Sequence, residues 1–265
     1  MVGIEDGVRA ELIARLRSAG SVFAEDEAAV LVESAGVGDE LCAMVERRVA
    51  GEPLEHVVGW AEFCGLRIAV DPGVFVPRRR TEALARSAVA RARPGDVVVD
   101  LCCGSGAIGA VVASAVRGVA LHAVDVDPVA VRCARRNLAP SGGQVHAGDL
   151  FDPLPSELRA QVDVVVVNAP YVPTGEVPLM PAEARLHEPL AALDGGADGL
   201  DVHRRVAAAA GSWLADAGVL LTECSRRQQA DLTEVYAAGG LSGKTVLVED
   251  ATAVVALTAA RCAAT

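Results

Sequence analysis

The sequence contains no run of about 18 consecutive apolar residues, which is the length that a membrane-spanning helix needs. We therefore expect no membrane span. A secretory signal is also not expected, because residues 1–11 mix Glu5, Asp6 and Arg9 with few apolar side chains. These absences predict a cytoplasmic protein, and its 265 residues suffice for one large domain with a smaller one beside it.

The sequence also lacks any Cys-x-x-Cys pair, and its cysteines are odd in number. They are Cys42, Cys64, Cys102, Cys103, Cys133, Cys224 and Cys262. Disulfide frameworks use even numbers of cysteines, and structural zinc sites use closely spaced pairs. We therefore expect no metal and predict buried, reduced thiols that act as small hydrophobic side chains.

Basic residues are outnumbered, with 24 Lys and Arg against 35 Asp and Glu, so the net charge is −11. This balance disfavours broad binding to nucleic-acid phosphates, and we expect no stable nucleic-acid partner. It is compatible with a basic protein partner, and equally with charge that serves only solubility.

The first part of the chain has the pattern of helices. Apolar residues recur at helical spacing over residues 5–50, which predicts a small helical domain over residues 1–56 for folding or docking. Residues 57–80 are interpreted as a connector that contains a β-hairpin. Thr81 is then a candidate cap for a helix that ends before Pro94.

From residue 96 onward predicted strands and helices alternate, which indicates a doubly wound parallel sheet in a domain over residues 81–265. The predicted strands are 97–101, 120–125, 143–147, 162–167, 218–223, 244–249 and 253–258. The predicted helices between them are 106–116, 128–138, 200–215 and 226–238. The last two strands should be antiparallel, because residues 250–252 are too short for a parallel crossover.

A glycine-rich loop follows the first of these strands. Gly104, Gly106 and Gly109 form a G-x-G-x-x-G string, and Asp125 ends the next strand. On spacing alone, this arrangement passes as a dinucleotide-binding fingerprint.

Asp100 favours a different cofactor. A carboxylate at the mouth of this loop would repel the pyrophosphate of NAD, whereas it would attract the α-ammonium group of S-adenosylmethionine. Asp125 can accept hydrogen bonds from both ribose hydroxyls of either cofactor. The antiparallel end of the sheet also fits a methyltransferase better, although a dinucleotide site and a purely structural glycine turn remain alternatives.

Another loop of interest lies after the predicted strand 143–147. Asp149 is placed to bind the adenine amino group, with Leu150 or Phe151 against the ring. The alternative is that Asp149 caps the next turn and that Phe151 belongs to the core.

The tetrapeptide Asn168-Ala169-Pro170-Tyr171 follows the β-branched run 162–167. Such a run reads as a buried parallel strand that ends in a rigid loop, and ligands in open α/β sheets bind beyond these strand ends. An amide side chain, a fixed carbonyl and an aromatic face suit a planar substrate that presents an NH2 group.

The chain resembles the protein-glutamine N(5)-methyltransferases that modify bacterial peptide-chain release factors. The tetrapeptide is similar to their Asn-Pro-Pro-Tyr motif, which adenine N(6)-methyltransferases share. The other matching segments are Gly51-Glu52-Pro53-Leu54, 59–63, Gly65-Leu66, Val76-Pro77-Arg78, Thr81-Glu82, 100–108, Asp125, Glu188-Pro189-Leu190-Ala191-Ala192-Leu193-Asp194-Gly195-Gly196 and Asp198-Gly199-Leu200.

The resemblance implies a seven-stranded Rossmann-like methyltransferase fold and an S-adenosylmethionine-dependent enzyme. Its substrate would be the glutamine of a Gly-Gly-Gln loop in a release factor, and the enzyme is expected to be a monomer. Asn168 and the carbonyl of Ala169 would accept the two amide hydrogens, and Tyr171 would pack on the amide plane. The implied cofactor residues are Phe75, Pro77, Arg78, Asp100, Cys102, Cys103, Gly104, Ser105, Gly106, Asp125, Val126, Asp149, Leu150 and Asn168.

The sequence departs from this family at three places. Ala169 replaces the first proline of the motif, but the residue before Pro170 is still held extended. Cys102 replaces the first glycine of the cofactor loop, which is tolerable if its φ angle is negative. Arg78-Arg79-Arg80 replaces a Pro-Arg-Pro-acid pattern, and this cluster meets an acidic partner or simply begins a solvated helix. The methylated protein could therefore be one other than a release factor.

Overall fold

The computed structural model of the protein describes residues 6–36, 38–249 and 252–259. Cys262 and residues 250–251 of the predicted final turn lie outside the described residues. Within the described ranges, no helix combines the length and the apolar character that crossing a bilayer requires.

The predicted helices of the first part are present and pack on one another. They are α1 (Asp6–Ser18), α2 (Ala24–Ala35), α3 (Asp39–Val49) and α4 (Leu54–Val58). Their facing sides form an apolar cluster that includes Leu12, Leu16, Ala24, Ala28, Leu31, Leu41, Val45 and Val57. Because this cluster contains only residues of the first part, the helices have a small core of their own.

A β-hairpin follows, as predicted. Its strands β1 (Trp60–Phe63) and β2 (Leu66–Ala69) are antiparallel and turn through Cys64 and Gly65, both at positive φ. A 3-10 turn (Arg79–Thr81) then leads into α5 (Glu82–Val89). Thr81 stands at the N-cap position, but its side chain makes no capping hydrogen bond, so the predicted cap was wrong.

The rest of the chain forms the predicted alternating sheet. Its strands are β3 (Val97–Leu101), β4 (Ala120–Asp125), β5 (Gln144–Ala147), β6 (Val162–Val167), β7 (Leu214–Ser225), β8 (Leu241–Glu249) and β9 (Thr252–Ala259). Its helices are α6 (Ala107–Ala115), α7 (Pro128–Leu138), α8 (Ala182–His187), α9 (Asp201–Ala210) and α10 (Gln229–Ala238).

The sheet has the order β5-β4-β3-β6-β7-β9-β8. The pairs among β3 to β7 are parallel, whereas β9 pairs antiparallel with β7 and with β8. The predicted seven-stranded α/β fold with an antiparallel last strand is therefore confirmed. The last strand lies between β7 and β8.

Helices cover both faces of the sheet. Leu200 and Val206 of the α9 region and Tyr236 of α10 pack on one face, together with Phe151 and Trp213. The α5, α6 and α7 helices cover the other face through alanines and branched aliphatic side chains. Burial of both faces explains why the central strands read as continuous β-branched runs.

The strand register brings the three predicted loops together. Leu101 at the end of β3 lies beside Val124 of β4 and Val167 of β6. Chain order reverses between β3 and β6, and in such sheets ligands bind in the crevice at this switch point. The loops that begin at Cys102 and Asn168 are therefore neighbours.

The cysteines only partly follow the prediction of burial. Cys103, Cys133 and Cys224 are buried, but Cys42 is exposed on α3. Cys64 and Cys102 are half-buried. The prediction was wrong for Cys42, because the apolar stripe of α3 faces the helical core through Leu41 and Val45 instead.

Candidate active site

A cavity of about 410 Å³ lies at the carboxyl ends of the central strands. Most of the predicted site residues line it. They are Phe75, Pro77, Arg78, Cys102, Cys103, Gly104, Ser105, Asp125, Val126, Asp149, Leu150, Asn168, Ala169, Pro170 and Tyr171. Asp100 and Gly106, which were also predicted to contact the cofactor, are not part of the lining. In the described part of the chain, no group of three potential metal ligands converges.

The glycine loop has a tight left-handed course. Cys102, Gly104 and Gly106 have φ angles of 55°, 54° and 76°. The negative φ angle on which tolerance of a cysteine at this position was expected to depend is therefore absent at Cys102. A side chain at positive φ costs about 1–2 kcal/mol, which explains why glycine suits this position. A Cβ at Gly106 would lie 3.2 to 3.3 Å from Ala134 and Leu138 on α7, so this glycine lets the loop pack closely on that helix.

Asp100 is buried beneath the glycine loop and does not stand at its mouth. Its side chain accepts a hydrogen bond of 2.9 Å from the backbone N–H of Gly109, near the start of α6. Burial raises the pKa of Asp100 to about 7, although the Gly109 bond opposes this shift. The expected direct contact with an α-ammonium group therefore has no support from the cavity geometry.

We expect the Asp100→Asn variant to be more stable than the wild type, and increasingly so as pH rises from 4 to 8. The folded-state pKa is above the unfolded value, so this group stabilises the fold below the unfolded pKa and loses that effect as pH rises towards 7. The difference in the free energy of unfolding between the variant and the wild type should reach a few kcal/mol at pH 8. Denaturant unfolding at several pH values tests this, and parallel stability curves for the two proteins would contradict it.

Asp125 is half-buried at the end of β4 and faces the cavity. It accepts hydrogen bonds from the backbone N–H of Gly104 at 2.8 Å and of Asp127 at 2.9 Å. Burial raises the pKa of this carboxyl, and these backbone bonds counteract the rise. Asp125 therefore fixes the glycine loop while it keeps acceptor capacity for a ligand hydroxyl.

The loop after β5 brings Asp149 and Leu150 to the cavity wall. Asp149 forms an ion pair with Arg205 of α9, which also lines the cavity. Phe151 is buried in the core and stacks on Trp213, with ring centroids 5.7 Å apart. Leu150 and Phe151 were the two candidates to pack against the adenine ring, and of these only Leu150 lines the cavity.

The loop Asn168–Tyr171 is held from behind by residues 193–199. The backbone N–H of Val172 donates to the carbonyl of Leu193 at 3.1 Å, and Gly195 donates back to Val172 at 2.8 Å. Gln228 adds a side-chain clamp, because its amide donates to the carbonyls of Tyr171 and Asp198, both at 2.9 Å. These contacts fix the direction in which the tetrapeptide faces the cavity.

We expect Gly195→Ala to lower substrate turnover strongly, because its Cβ would lie 2.7 Å from the carbonyl oxygens of Pro170 and Gly199. Backbone oxygens cannot retreat as a flexible side chain can, so the tetrapeptide must shift. Gly175→Ala is the matched control, since its Cβ would meet nothing within 4 Å. Steady-state kinetics of both variants test this, and equal activity would contradict the proposed close packing.

The arginine cluster is largely engaged inside the molecule. Arg78 donates to both carboxylate oxygens of Glu188 at 2.6 Å, and Glu188 also accepts from the N–H of Val76. Arg80 lies 3.7 Å from Glu223. Arg79 and Arg80 are both exposed, as a solvated helix start requires, but Arg78 and Arg80 pair with acidic residues of this chain, so the cluster as a whole is not a free basic surface for an acidic partner.

Sequence reasoning missed several contributors to this site. Glu188 was noted only as part of a motif, and Glu223, Gln228 and Arg205 were given no role. Glu223 carried a signal, because it is a carboxylate within the apolar run 218–224 of a predicted buried strand. Gln228 carried none, since its partners are backbone carbonyls far away in sequence.

Comparison with known proteins agrees with this architecture. Residues 65–199 match a family model described as "Methyltransferase small domain". A methyltransferase structure from Pyrococcus furiosus shares the fold, with a TM-score of 0.54 at 16% identity over 80% of this chain and 94% of that chain.

Curated relatives are considerably more similar in sequence. The release factor glutamine methyltransferase of Geobacter sulfurreducens is 36% identical, covering 76% of this chain and 72% of the relative. Several other relatives carry the same name. The 4-amino-L-phenylalanine/4-methylamino-L-phenylalanine methyltransferase of Streptomyces pristinaespiralis is 39% identical, covering 74% and 69%. The chain therefore belongs to the methyltransferase small domain family and, within it, to the family of the release factor glutamine methyltransferases.

Proposed function

We propose that this protein methylates the side-chain amide nitrogen N(5) of a glutamine in a protein, and that this glutamine lies in the Gly-Gly-Gln loop of a peptide chain release factor. The observation that carries the proposal is the position of the Asn168–Tyr171 loop, which faces the same cavity as the cofactor loop. Most of the similar curated relatives are named release factor glutamine methyltransferases, which supports the same substrate.

As a member of this family, the protein is an S-adenosylmethionine-dependent methyltransferase. The cavity fits this cofactor, because the Asp125 carboxylate suits vicinal ribose hydroxyls and Leu150 and Val126 offer apolar walls. The residues that would hold it are those of the glycine loop, with Asp125 and Asp149. When bound, S-adenosylmethionine supplies a methyl group made electrophilic by its sulfonium.

The chemical task of the substrate loop is to make an amide nitrogen attack. Such a nitrogen is a poor nucleophile because its lone pair is delocalised into the carbonyl. We infer that the Asn168 side chain and the Ala169 carbonyl accept the two amide hydrogens, which raises electron density on nitrogen and aims it. Ala169 is 2% exposed, so packing replaces the rigidity of the missing proline.

We further propose that the helices α1 to α4 form a domain that helps to dock the protein substrate. Arg48 of α3 pairs with Glu27 at 2.9 Å and with Glu183 of α8 at 3.3 Å, which links these helices to the segment beside the cavity. Leu186 and Leu190 of that segment are exposed. We propose that the enzyme is a monomer, and that it acts in the cytoplasm on the release factor without a nucleic-acid partner.

A second candidate substrate is a small aromatic amine. It is favoured by the 39% identity to the enzyme that methylates 4-amino-L-phenylalanine, which is as high as the identity to several release factor enzymes. An amine nitrogen needs less activation than an amide, so the departure at Ala169 is compatible with this alternative.

One labelling experiment separates these candidates. The purified protein is incubated with methyl-labelled S-adenosylmethionine and, separately, with a release factor, the same factor with its Gly-Gly-Gln glutamine changed to alanine, 4-amino-L-phenylalanine, and DNA. Label in the intact factor alone supports the proposal. Label only in the amino acid selects the second candidate, and label only in DNA contradicts both.

A further inference from the structure

A buried carboxylate lies directly behind the aromatic residue of the substrate loop. Glu223 is in the middle of the sheet on β7, and its side chain is 1% exposed. Its Oε1 lies 3.3 Å from the hydroxyl oxygen of Tyr171, which lines the cavity. No step of the proposed chemistry so far uses this contact.

The charges around Glu223 determine the direction of this hydrogen bond. Burial raises the pKa of the Glu223 carboxyl, whereas the Nε of Arg80, 3.7 Å from the same carboxylate oxygen, favours its ionised form. An ionised carboxylate can only accept hydrogen bonds. The 3.3 Å hydrogen bond runs in this direction, with the Tyr171 hydroxyl as the donor and Glu223 as the acceptor.

Tyr171 itself stays protonated. Burial raises the pKa of its hydroxyl to about 12, and the neighbouring Glu223 acts in the same direction. The hydroxyl has a single proton, and that proton points away from the cavity towards the strand. The phenolic oxygen, which also interacts with the Arg80 guanidinium, therefore has no proton left to donate to a bound substrate.

We propose that Glu223 is a positioning residue that withholds the Tyr171 proton from the cavity. A free tyrosine O–H would donate to the nitrogen lone pair that must attack the methyl group, and would thus compete with methylation. With the proton held by Glu223, the phenolic oxygen favours the positive charge that develops on nitrogen. This inference rests on the proposed function only in that a nitrogen substrate occupies this cavity.

The test is a set of Glu223 and Tyr171 variants, with kcat and KM measured for the acceptor that the wild type labels. Glu223→Met retains the length of the side chain but leaves the Tyr171 proton unpaired, and we expect kcat to fall about tenfold or more. Glu223→Gln keeps an acceptor oxygen and should remain within about threefold of wild type. KM and the thermal midpoint should change little in either variant.

The decisive comparison is with Tyr171→Phe. This change removes the competing proton altogether, so the double variant Tyr171→Phe/Glu223→Met should be more active than Glu223→Met and equal to Tyr171→Phe. A structural role of Glu223 predicts the opposite order, with the double variant the least active. Glu223→Ala is prepared in parallel, so that the comparison survives if the methionine variant does not fold.

Two outcomes overturn the inference while leaving the proposed function intact. One is a double variant no better than Glu223→Met, and the other is a loss that appears in cofactor affinity instead of kcat. Glu82→Gln serves as the control, because Glu82 pairs with Arg86 at 2.9 Å outside the cavity. A wild type that labels no nitrogen acceptor overturns the proposed function and the inference together.

Discussion

Replacement of Asn168 by alanine is expected to abolish most methyl transfer, with a loss on the order of 10²–10³-fold in kcat. The side chain lies at the end of β6 and lines the cavity between the cofactor loop and Tyr171. The variant loses an acceptor that both activates and aims the substrate nitrogen. Cofactor binding should be nearly unchanged, because the glycine loop and Asp125 remain in place.

Two measurements check this expectation, namely transfer of labelled methyl groups and direct titration of S-adenosylmethionine binding. Gln144→Ala is the matched control, since it removes an exposed carboxamide on β5 that does not line the cavity. If the Asn168 variant loses cofactor affinity and activity to the same extent, Asn168 is a cofactor or folding residue and its assigned role is incorrect.

Replacement of Asp125 by alanine should weaken cofactor binding by about 1.5–3 kcal/mol, or about 10- to 150-fold in Kd. The variant loses a charged acceptor for the ribose hydroxyls. It also frees the backbone N–H of Gly104, which Asp125 holds at 2.8 Å. Asp125→Asn should show an intermediate loss, because its amide oxygen retains one acceptor.

Calorimetric titration with S-adenosylmethionine measures the effect of these changes. Asp96→Ala is the control, because Asp96 also accepts a backbone hydrogen bond, from Arg93 at 2.8 Å, but at the opposite end of β3. The ribose assignment fails if Asp125→Ala binds the cofactor as tightly as Asp96→Ala does.

The fold and the site could be predicted from the sequence wherever the signal lies within one short segment of the chain. A β-branched run that ends in a polar loop identifies a buried parallel strand, and carboxyl ends of such strands converge at one edge. This reasoning brought Asp125, Asp149 and Asn168 to one place, and the structure confirms that all three line one cavity.

The features that were missed depend on partners distant in sequence. Arg78 lines the cavity as expected, but its ion pair with Glu188, 110 positions away, was not predicted. Asp100 was expected at the cavity, but the start of α6 covers it and Gly109 binds it. The φ angle of Cys102 is imposed by the turn between β3 and α6, and only the glycine that this family has at the same position hinted at it.

The position of β9 has a consequence for the assembly of the molecule on the ribosome. Because β9 lies between β7 and β8, the growing polypeptide cannot complete its sheet until residues 252–259 have emerged. Until then β7 and β8 expose unpaired edges, which are templates for aggregation. Premature termination before Thr252 would therefore be harmful although every cavity-lining residue had already been synthesised.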